Sequence, residues 1–296
     1  MTIYSLFKIL LVTLFCLIQI GLPIKVYATD TVRFLKPLKG HEKRTLHKDE
    51  VILRALQITE PEFGDYQFET LQVDITPDRA RQYIQEGKIL NTFINPSNSK
   101  WDEYAIPIKI PLRLGLISYR LLLVNKDKLS VFKEVKTFAQ LSQLTAGLQS
   151  SWVTTEIFTE LEMNLVKSHT FEGLFLMLNK QRFDYLPRAI YEVFDELDIR
   201  KGHLTNVVIE PNIALYLPMV TYVYVSKTEP RLAKRLKIGL EKLLVSGELK
   251  TILDKYYQED IKRADLKNRT IIEIPNPNFT DKAVLKENLY WYKNYL

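Results

Sequence analysis

LISYRLLLV, residues 116–124, and YLPMVTYVYV, residues 216–225, are the two stretches that decide the fold. Both are apolar and rich in branched or aromatic side chains, a pattern that predicts long buried strands. About a hundred residues separate them, which is enough for a domain-sized unit. If each strand passes between two lobes, the chain leaves the first lobe once and returns to it once. The pair therefore predicts two α/β lobes with a cleft between them.

The remaining segments alternate between short strand patterns and helix patterns. Thr76 and Pro77 start one helix, as its cap and its first helical residue, and Gly87 ends it. Thr170 caps another helix, which continues through Leu178. Alternating strands and helices predict an α/β fold in which mostly parallel sheets carry helices on both faces.

The segment QRFDYLPRAIYEVFDEL, residues 181–197, joins a strand to a helix. It predicts a strand over 182–186, a turn at Pro187 and Arg188, and a helix on which Arg188 and Glu192 are one turn apart. Ligands of such sheets bind at the carboxyl ends of strands, beside helix N-termini. Arg188 and Glu192 are therefore candidate ligand-binding residues. The alternative is a simple salt bridge at the start of the helix.

The first 28 residues predict a secretory signal peptide and hence a periplasmic protein. Lys8 precedes an apolar run over 9–22, and the small residues that end the segment favour cleavage after Ala28. A membrane anchor needs about 20 apolar residues, and this run is interrupted by Gln19 and Gly21. An uncleaved N-terminal anchor is the alternative.

The composition excludes several kinds of site. Cys16, the only cysteine, lies in the predicted signal peptide, so the mature chain has no disulfide and no cysteine-based metal site. The four histidines lack ligand spacing, and no Gly-rich phosphate loop or Gly-x-Ser-x-Gly motif occurs. The net charge of +6 falls to +4 without Lys8 and Lys25, and the basic residues alternate with acids. We therefore predict no metal, no cofactor and no nucleic-acid partner.

Several stretches give the chain a likeness to a known superfamily. They are IPIKIPLRLGLISYRLLLV (106–124), GLQSSW (147–152), FEGLFLMLNKQRFDYLPRAIYEV (171–193), EPNIALYLPMVTYVYVSKTEPRLAKRLKIGLE (210–241) and IIEIPNPNF (271–279). With them the chain resembles the type II periplasmic solute-binding protein superfamily, in its family 3, amino-acid-binding-like branch. More narrowly, it is similar to a proteobacterial group of "transporter substrate-binding domain" proteins.

The resemblance implies a division into lobes and a place for the ligand. Lobe 1 would comprise 29–115 plus 220–296, and lobe 2 would comprise 116–219, with two crossing strands at the hinge and closure around a small ligand. In the amino-acid binders, an arginine after a Thr/Ser-rich turn holds the carboxylate, and an acid at the end of a lobe-2 strand holds the ammonium. Here the turn offers Lys100 instead of an arginine, and Arg188 stands where the acid is expected. A plain α-amino acid is therefore not expected to bind in the usual way.

Further candidates come from the same comparison. Ser150 and Ser151 lie where the resemblance places an anion-binding helix start, and an ordinary serine cap is the alternative. Trp152 is a lid over the ligand or a packed aromatic residue, and Trp101 stacks on the ligand or packs within its lobe.

Two more candidates lie on the first predicted crossing strand, Tyr119 and Arg120. An arginine inside an apolar strand must reach a partner or water, so Arg120 faces the cleft or forms an inter-lobe ion pair. Glu42, Arg44 and His47 follow the first strand, where such folds contribute to the rim of the cleft, and a solvated loop is the favoured alternative.

The expected function is that of a monomeric periplasmic solute-binding protein without catalytic activity. It would capture a small polar or anionic solute between its lobes and present it to the membrane subunits of an ABC importer. The alternative is a ligand-sensing protein that signals to a membrane receptor. An enzyme on the same fold is less favoured, because no catalytic acid–base pair stands out.

Overall fold

The structure, a computed structural model, describes residues 29–36, 42–73 and 75–279. The predicted signal peptide, residues 1–28, lies outside the described residues. No helix within the described ranges is both long enough and apolar enough to cross a bilayer.

Strands and helices alternate along the chain, as the sequence predicts. The strands are β1 (Asp30–Lys36), β2 (Tyr66–Gln72), β3 (Thr92–Pro96), β4 (Ala105–Ile108), β5 (Tyr119–Asn125), β6 (Ala146–Gln149), β7 (Leu165–Ser168), β8 (Tyr185–Ala189), β9 (Val207–Tyr216), β10 (Thr221–Ser226) and β11 (Thr270–Glu273). The helices are α1 (Glu42–Ile58), α2 (Glu60–Phe63), α3 (Pro77–Glu86), α4 (Ser99–Tyr104), α5 (Leu129–Phe132), α6 (Phe138–Leu141), α7 (Val153–Glu160), α8 (Phe171–Asn179), α9 (Ile190–Arg200), α10 (Pro230–Val245) and α11 (Glu248–Ala264).

The strands of the described residues form three sheets, two in one lobe and one in the other. β1 pairs with β2 in parallel, and β10 lies between β3 and β4, antiparallel to both. We call these strands and their helices the first lobe. The second lobe is built on a six-stranded sheet of order β11-β9-β5-β8-β6-β7.

Strand directions are mixed within these sheets, although the sequence predicts mostly parallel ones. β5 runs antiparallel to both of its neighbours, β9 and β8, and β10 runs antiparallel to β3 and β4. The antiparallel direction of β5 and β10 follows from the path of the chain, because each of these strands comes directly after a passage of the chain from one lobe to the other.

The two crossing segments differ from the predicted long strands. The prediction of one strand over 216–225 is wrong, because β9 ends at Tyr216 and β10 begins at Thr221. Pro218 lies in the connection and has no N–H to continue a ladder. The first segment begins with a 3-10 turn, Leu116–Ser118, which follows Gly115 in the left-handed conformation (φ 75°). The strand β5 therefore starts only at Tyr119.

The crossing segments are hydrogen-bonded to each other where they pass between the lobes. The Leu217 N–H donates to the Ser118 carbonyl oxygen at 2.8 Å. The Ser118 hydroxyl donates to the Met219 carbonyl oxygen at 2.8 Å and accepts from the Met219 N–H at 3.1 Å. Ser118 is fully buried, so one side chain joins the two passages of the chain.

Strand β8 corrects the prediction for 182–188. Pro187 and Arg188 belong to this strand and not to a turn or to the following helix, which starts at Ile190. Proline is tolerated here because β6 pairs with β8 only at Tyr185, so the edge of β8 beyond Tyr185 needs no N–H from Pro187. Arg188 therefore precedes the helix and does not belong to its first turn.

Other elements also depart from the sequence-based description. The turn predicted over 95–99 continues into α4, whose cap is Asn98, with its side chain accepting a hydrogen bond from the Lys100 N–H at 2.9 Å. Beyond the last helix, β11 extends the six-stranded sheet by pairing with β9. The predicted caps at Thr76 and Thr170 are confirmed, and each side chain accepts a backbone N–H of its helix.

Candidate functional site

A cavity of about 830 Å³ opens between the two lobes. Helix α1 and the ends of β3 and β10 line it from the first lobe. The start of α7, the end of β8 and the start of α9 line it from the second lobe. β6 and β8 are parallel, so their carboxyl ends lie at one edge of the sheet, each followed by a helix N-terminus. This is the place where open α/β sheets bind ligands.

The described residues that line the cavity have an excess of positive charge. Eight are lysine or arginine and four are aspartate or glutamate. Each of the four acids already has a basic partner: Asp78 with Arg81 at 3.3 Å, Glu156 with Lys100 at 3.2 Å, Glu172 with Arg200 at 3.0 Å and Glu192 with Arg44 at 2.9 Å. An ammonium group would therefore find no free carboxylate among these residues.

Arg188 lines the cavity, but its charge is already compensated. Its Nε and Nη2 atoms donate to the two carboxylate oxygens of Glu196 at 2.6 and 2.7 Å, and Nη2 lies 3.0 Å from Glu192 Oε2. Burial alone would lower the pKa of Arg188, but Glu192 and Glu196 raise it above its ordinary value. Arg188 therefore lies in the cleft, as expected of a candidate ligand-binding residue, and it also forms salt bridges, as the alternative predicts.

The same two glutamates also bind an arginine from the other lobe. Arg44, on α1, donates through Nη1 to Glu192 Oε1 at 2.9 Å and through Nη2 to Glu196 Oε1 at 3.1 Å. Burial acts to raise the pKa of Glu192, but Arg188, Arg44 and Arg120 lower it to about 2. Arg44, Arg188, Glu192 and Glu196 form a balanced quartet, in which two cations meet two anions across the lobe boundary.

The quartet corrects one prediction from the sequence. Glu42, Arg44 and His47 belong to helix α1 and not to a solvated loop. His47 is fully buried, and its ring lies 5.1 Å from that of Tyr257. Among the described residues, no group of three or more His, Cys, Asp or Glu side chains is placed to hold a metal ion.

Three basic residues of the cavity, Lys48, Arg113 and Arg120, have no carboxylate oxygen within 4 Å among the described residues. Arg113 and Arg120 are only 5% and 4% exposed, and the Nε atom of each has no hydrogen-bond partner. Arg120 makes one contact through Nη2, to the sulfur of Met219 at 3.3 Å. Burial lowers the pKa of Arg120 from its ordinary value. We call these three side chains the free cations.

Arg113 is held by an unusual turn between the lobes. Its guanidinium lies 4.7 Å from the centre of the Tyr191 ring. The next two residues, Leu114 (φ 45°) and Gly115 (φ 75°), are both in the left-handed region. A leucine in this region is strained, and such strain clusters at functional sites. The turn fixes the Arg113 side chain against the cavity.

Lys48 follows Arg44 by one turn of α1, so both side chains lie on the same face. Burial, followed by the neighbouring charge of Arg113, lowers the pKa of Lys48 to about 8, and Asp49 opposes that change. Thr221, on β10, adds a buried hydroxyl without a hydrogen-bond partner to the same cavity.

The start of α7 faces the cavity as predicted, but the two serines differ. Ser151 lines the cavity and is exposed, and the first helical residues also line it, Val153 half-buried and Thr154 buried. Ser150 is not among the lining residues. Its N–H and hydroxyl both donate to the Ser168 carbonyl oxygen, at 2.9 and 3.2 Å, extending the pairing of β6 with β7.

The aromatic candidates have different surroundings. Trp152 is half-buried and covers the guanidinium of Arg188, which lies 4.4 Å from its ring centre. Trp101 lines the cavity but is buried and stacked on Phe93 at 5.0 Å, which matches the packing alternative. Tyr119 is not among the lining residues, and its ring packs against that of Tyr216 at 5.1 Å.

The cavity thus brings together six of the eight predicted site residues: Trp101, Arg120, Ser151, Trp152, Arg188 and Glu192. The sequence analysis missed Lys48, Arg113, Thr221 and Glu196. Arg113 had the same signal as Arg120, a lone arginine within an apolar run, and Lys48 was marked by its spacing from Arg44. Thr221 and Glu196 carried no such signal.

No protein-family model and no curated protein matches the sequence. Among solved structures, the chain is similar to a histidine kinase sensor domain with similarity to periplasmic binding proteins, with 16% identity and a TM-score of 0.54 over 78% of this chain and 96% of that one. It is similar to an amino acid ABC transporter substrate-binding protein from Streptococcus pneumoniae bound to L-arginine, with 13% identity and a TM-score of 0.55 over 77% and 94%. It is also similar to the BvgS VFT2 domain of Bordetella pertussis, with 13% identity and a TM-score of 0.55 over 76% and 93%.

These likenesses confirm the predicted fold class. The chain has the two-lobe α/β fold of periplasmic binding proteins.

Proposed function

We propose that this protein is a solute-binding protein that captures a small anionic solute between its two lobes. The observation that carries the proposal is the set of free cations, Lys48, Arg113 and Arg120, in a cavity whose acids are all paired. A buried charge without a partner is unfavourable, and it becomes favourable when an opposite charge binds. An anionic solute would provide that opposite charge.

The same pairing argues against a free amino acid or a polyamine as the ligand. Both carry an ammonium group, which needs a carboxylate or several acceptors. Glu192 is the acid nearest to the position where amino-acid binders are expected to hold the ammonium, and it already binds Arg44 and Arg188. Binding of an amino acid would have to break the balanced quartet.

Two contacts across the cavity support a closing motion of the lobes around the ligand. Arg44 joins α1 to α9 through the quartet, and Lys100 joins α4 to α7 through Glu156. In this proposal, lobe 1 comprises residues 29–115 plus 220–296 and lobe 2 comprises 116–219, except that β11 pairs with β9 and so belongs to the sheet of the second lobe. The hinge is the pair of crossing segments joined by Ser118.

Delivery to an ABC importer in the periplasm is the first role that this mechanism would serve. Sensing is the second candidate, because two of the structural neighbours are a histidine kinase sensor domain and a BvgS domain. Both roles use the same site, without turnover of the ligand. Genes for importer subunits beside this one would favour transport, and a gene for a sensor kinase would favour sensing.

The test is a thermal-shift and calorimetric screen of organic acids, phosphate esters, amino acids and polyamines. We expect anions to raise the melting temperature and Arg120→Gln to abolish that rise, because the substitution removes one free cation. Lys237→Gln is the matched control, since Lys237 is an exposed partner of Glu241 on α10. Tight binding of a polyamine or a standard amino acid that persists in Arg120→Gln would contradict the proposal.

A further inference from the structure

The free cations line the same cavity, and their charges act on common neighbours. The charges of Arg113 and Arg120 both act on the buried Tyr191 hydroxyl, and the charge of Arg113 also acts on Lys48. The Tyr191 ring is 5% exposed and packs against Arg113. A ligand group at this place would therefore meet three positive charges together.

Part of the hydrogen-bonding capacity at this place is also unused. The Nε atoms of Arg113 and Arg120 and the hydroxyl of Thr221 are buried and have no partner among the described residues. All three residues line the cavity and are at most 5% exposed. Native proteins pair nearly all such groups, so an anion with several acceptor oxygens fits this end of the cavity.

Among the described residues that line the cavity, no unpaired acid is left to neutralise the three charges. Glu192 and Glu196 are balanced by Arg44 and Arg188 within the quartet. Asp49 lies near Lys48, but its carboxylate is not within 4 Å of the Lys48 ammonium and does not line the cavity. Three free cations are more than one carboxylate can balance.

The rest of the cavity wall is partly apolar and would accommodate the uncharged, carbon-containing part of the ligand. Ile75, Ile94, Ile117, Phe171 and Ile199 contribute apolar side chains to its wall. A volume of about 830 Å³ is within the range of small-molecule sites and is far larger than an inorganic ion requires.

We infer that the captured solute is an organic anion with two or more negative charges grouped at one end, which Lys48, Arg113 and Arg120 bind together. This inference rests on the proposed capture of an anionic solute. Vicinal carboxylates and a phosphate monoester share this chemistry, and the experiment distinguishes them.

Lys48 gives the inference a second measurable consequence. Arg113, Arg44 and Asp49 are the charged groups that act on it, and its ammonium lies 5.4 Å from the Phe34 ring. A multiply charged anion would favour the protonated ammonium, so binding above about pH 8 would take up a proton. Calorimetry in buffers of different ionisation enthalpy measures this uptake.

The experiment compares probes that differ in charge on matched skeletons. Tricarballylate and succinate carry carboxylates on adjacent carbons, which one cluster of cations can bind together, while succinamate and butyrate carry one charge. Glycerol 3-phosphate is the phosphate ester, and glycerol and inorganic phosphate are its two halves. Each probe is titrated into the wild-type protein by calorimetry at low salt.

We expect the best multiply charged organic probe to bind about tenfold or more tighter than its singly charged counterpart. The tighter of tricarballylate and glycerol 3-phosphate then identifies the source of the charge. Lys48→Met should reduce this preference several-fold and abolish the proton uptake at pH 8.5, while Lys237→Met should change neither.

The possible failures point to different conclusions. Equal affinity for succinate and succinamate, with no difference for the other pairs, would overturn this inference and leave anion capture intact. Inorganic phosphate as the tightest probe would overturn the organic part. If none of the anions binds, the proposed function itself falls, and this inference falls with it.

Discussion

Arg188 and Arg113 line the same cavity, but of the two only Arg188 has carboxylate partners among the described residues. Arg188 binds Glu196 through two hydrogen bonds, whereas Arg113 packs on Tyr191 and leaves its Nε atom unpaired. The energetic roles of the two residues should therefore differ. Removing one member of a buried pair leaves an uncompensated charge, while removing an unpaired charge relieves one.

This difference predicts unequal effects of two identical substitutions. Arg188→Gln should lower the free energy of unfolding by about 3 kcal/mol, because Glu196 is completely buried and loses the partner that binds both of its oxygens. Arg113→Gln should lower it by clearly less, because no carboxylate loses a direct partner, although against the effect of burial Tyr257 and Tyr191 help to keep the pKa of Arg113 above its ordinary value; anion binding should weaken about tenfold or more. Urea denaturation and calorimetry measure both. Equal destabilisation by the two variants would contradict the distinction.

A second prediction concerns the pH dependence of binding. In the ligand-free protein, the pKa of Lys48 is lowered to about 8 by burial and by Arg113, and a bound anion would raise it. Below pH 8, Lys48 is already protonated and affinity should be flat. As the pH rises above 8, the ligand must bind together with a proton, so affinity should fall.

Calorimetric titration of a fully ionised anion between pH 6.5 and pH 9.5 checks this prediction. Lys48→Met should bind more weakly and show no decline over this interval. An affinity that rises with pH in the wild-type protein would contradict the assignment of the charge to Lys48.

At the level of single residues, the sequence located several residues that line the cavity but not their pairing. Arg188 was predicted from its place between a strand and a helix, Arg120 as an arginine inside an apolar strand, and Ser151 and Trp152 from the family resemblance. Glu196 was not found, because its contact with Arg188 depends on how helix α9 is oriented beyond the strand.

Among the elements, helices α1 and α10 approach each other most closely at a glycine. A Cβ added to Gly239 would lie 2.3 Å from the Ala55 carbonyl oxygen of the facing helix. This oxygen belongs to the backbone and cannot rotate away. Close packing of α10 on α1 therefore requires glycine at this position.

The third prediction follows from that contact. Gly239→Ala should lower the free energy of unfolding by about 1–2 kcal/mol, because the clash exceeds the gain in helix propensity of about 1 kcal/mol. Gly202→Ala is the matched control, since nothing lies within 4 Å of its added Cβ, and it should change stability by less than about 0.5 kcal/mol. Chemical denaturation decides between packing and propensity, and a stabilised Gly239→Ala would refute the packing argument.

Strand β8 shows the limit of reading elements from the sequence. Pro187 suggests the end of a strand, because proline removes a ladder hydrogen bond. The strand continues through Ala189 because β5 pairs with it on one side, while β6 reaches it only at Tyr185. Proline is tolerated at position 187 because the neighbouring strand β6 does not extend that far along β8. The sequence around Pro187 does not reveal where β6 ends.

For the molecule as a whole, the contacts across the cavity determine how the lobes are held. Arg44 reaches from α1 to two glutamates of α9, and Lys100 reaches from α4 to Glu156 of α7. The Lys100 pair is exposed and therefore weak, whereas the Arg44 contacts are mostly buried. Arg44 should be the main contact that favours closure.

The fourth prediction tests this role in the absence of ligand. Arg44→Met should increase the mean distance between spin labels at Gln82→Cys on α3 and Leu176→Cys on α8, measured by pulsed electron resonance. Both positions are exposed, and Cys16, the only native cysteine, is replaced by serine. Lys237→Met should leave the distance distribution unchanged. An identical distribution in Arg44→Met would show that the quartet does not hold the lobes together.

The sequence by itself determined the alternation of strands and helices, the helix caps and the passage of the chain between two lobes. These features depend on local patterns of apolar residues and capping groups, which involve residues close together in the sequence. Only the tertiary structure decided which cations of the cavity are paired. Arg44 and Glu196 are 152 residues apart in sequence, and their contact exists only once the lobes meet. That long-range pairing is what leaves Lys48, Arg113 and Arg120 free for an anion.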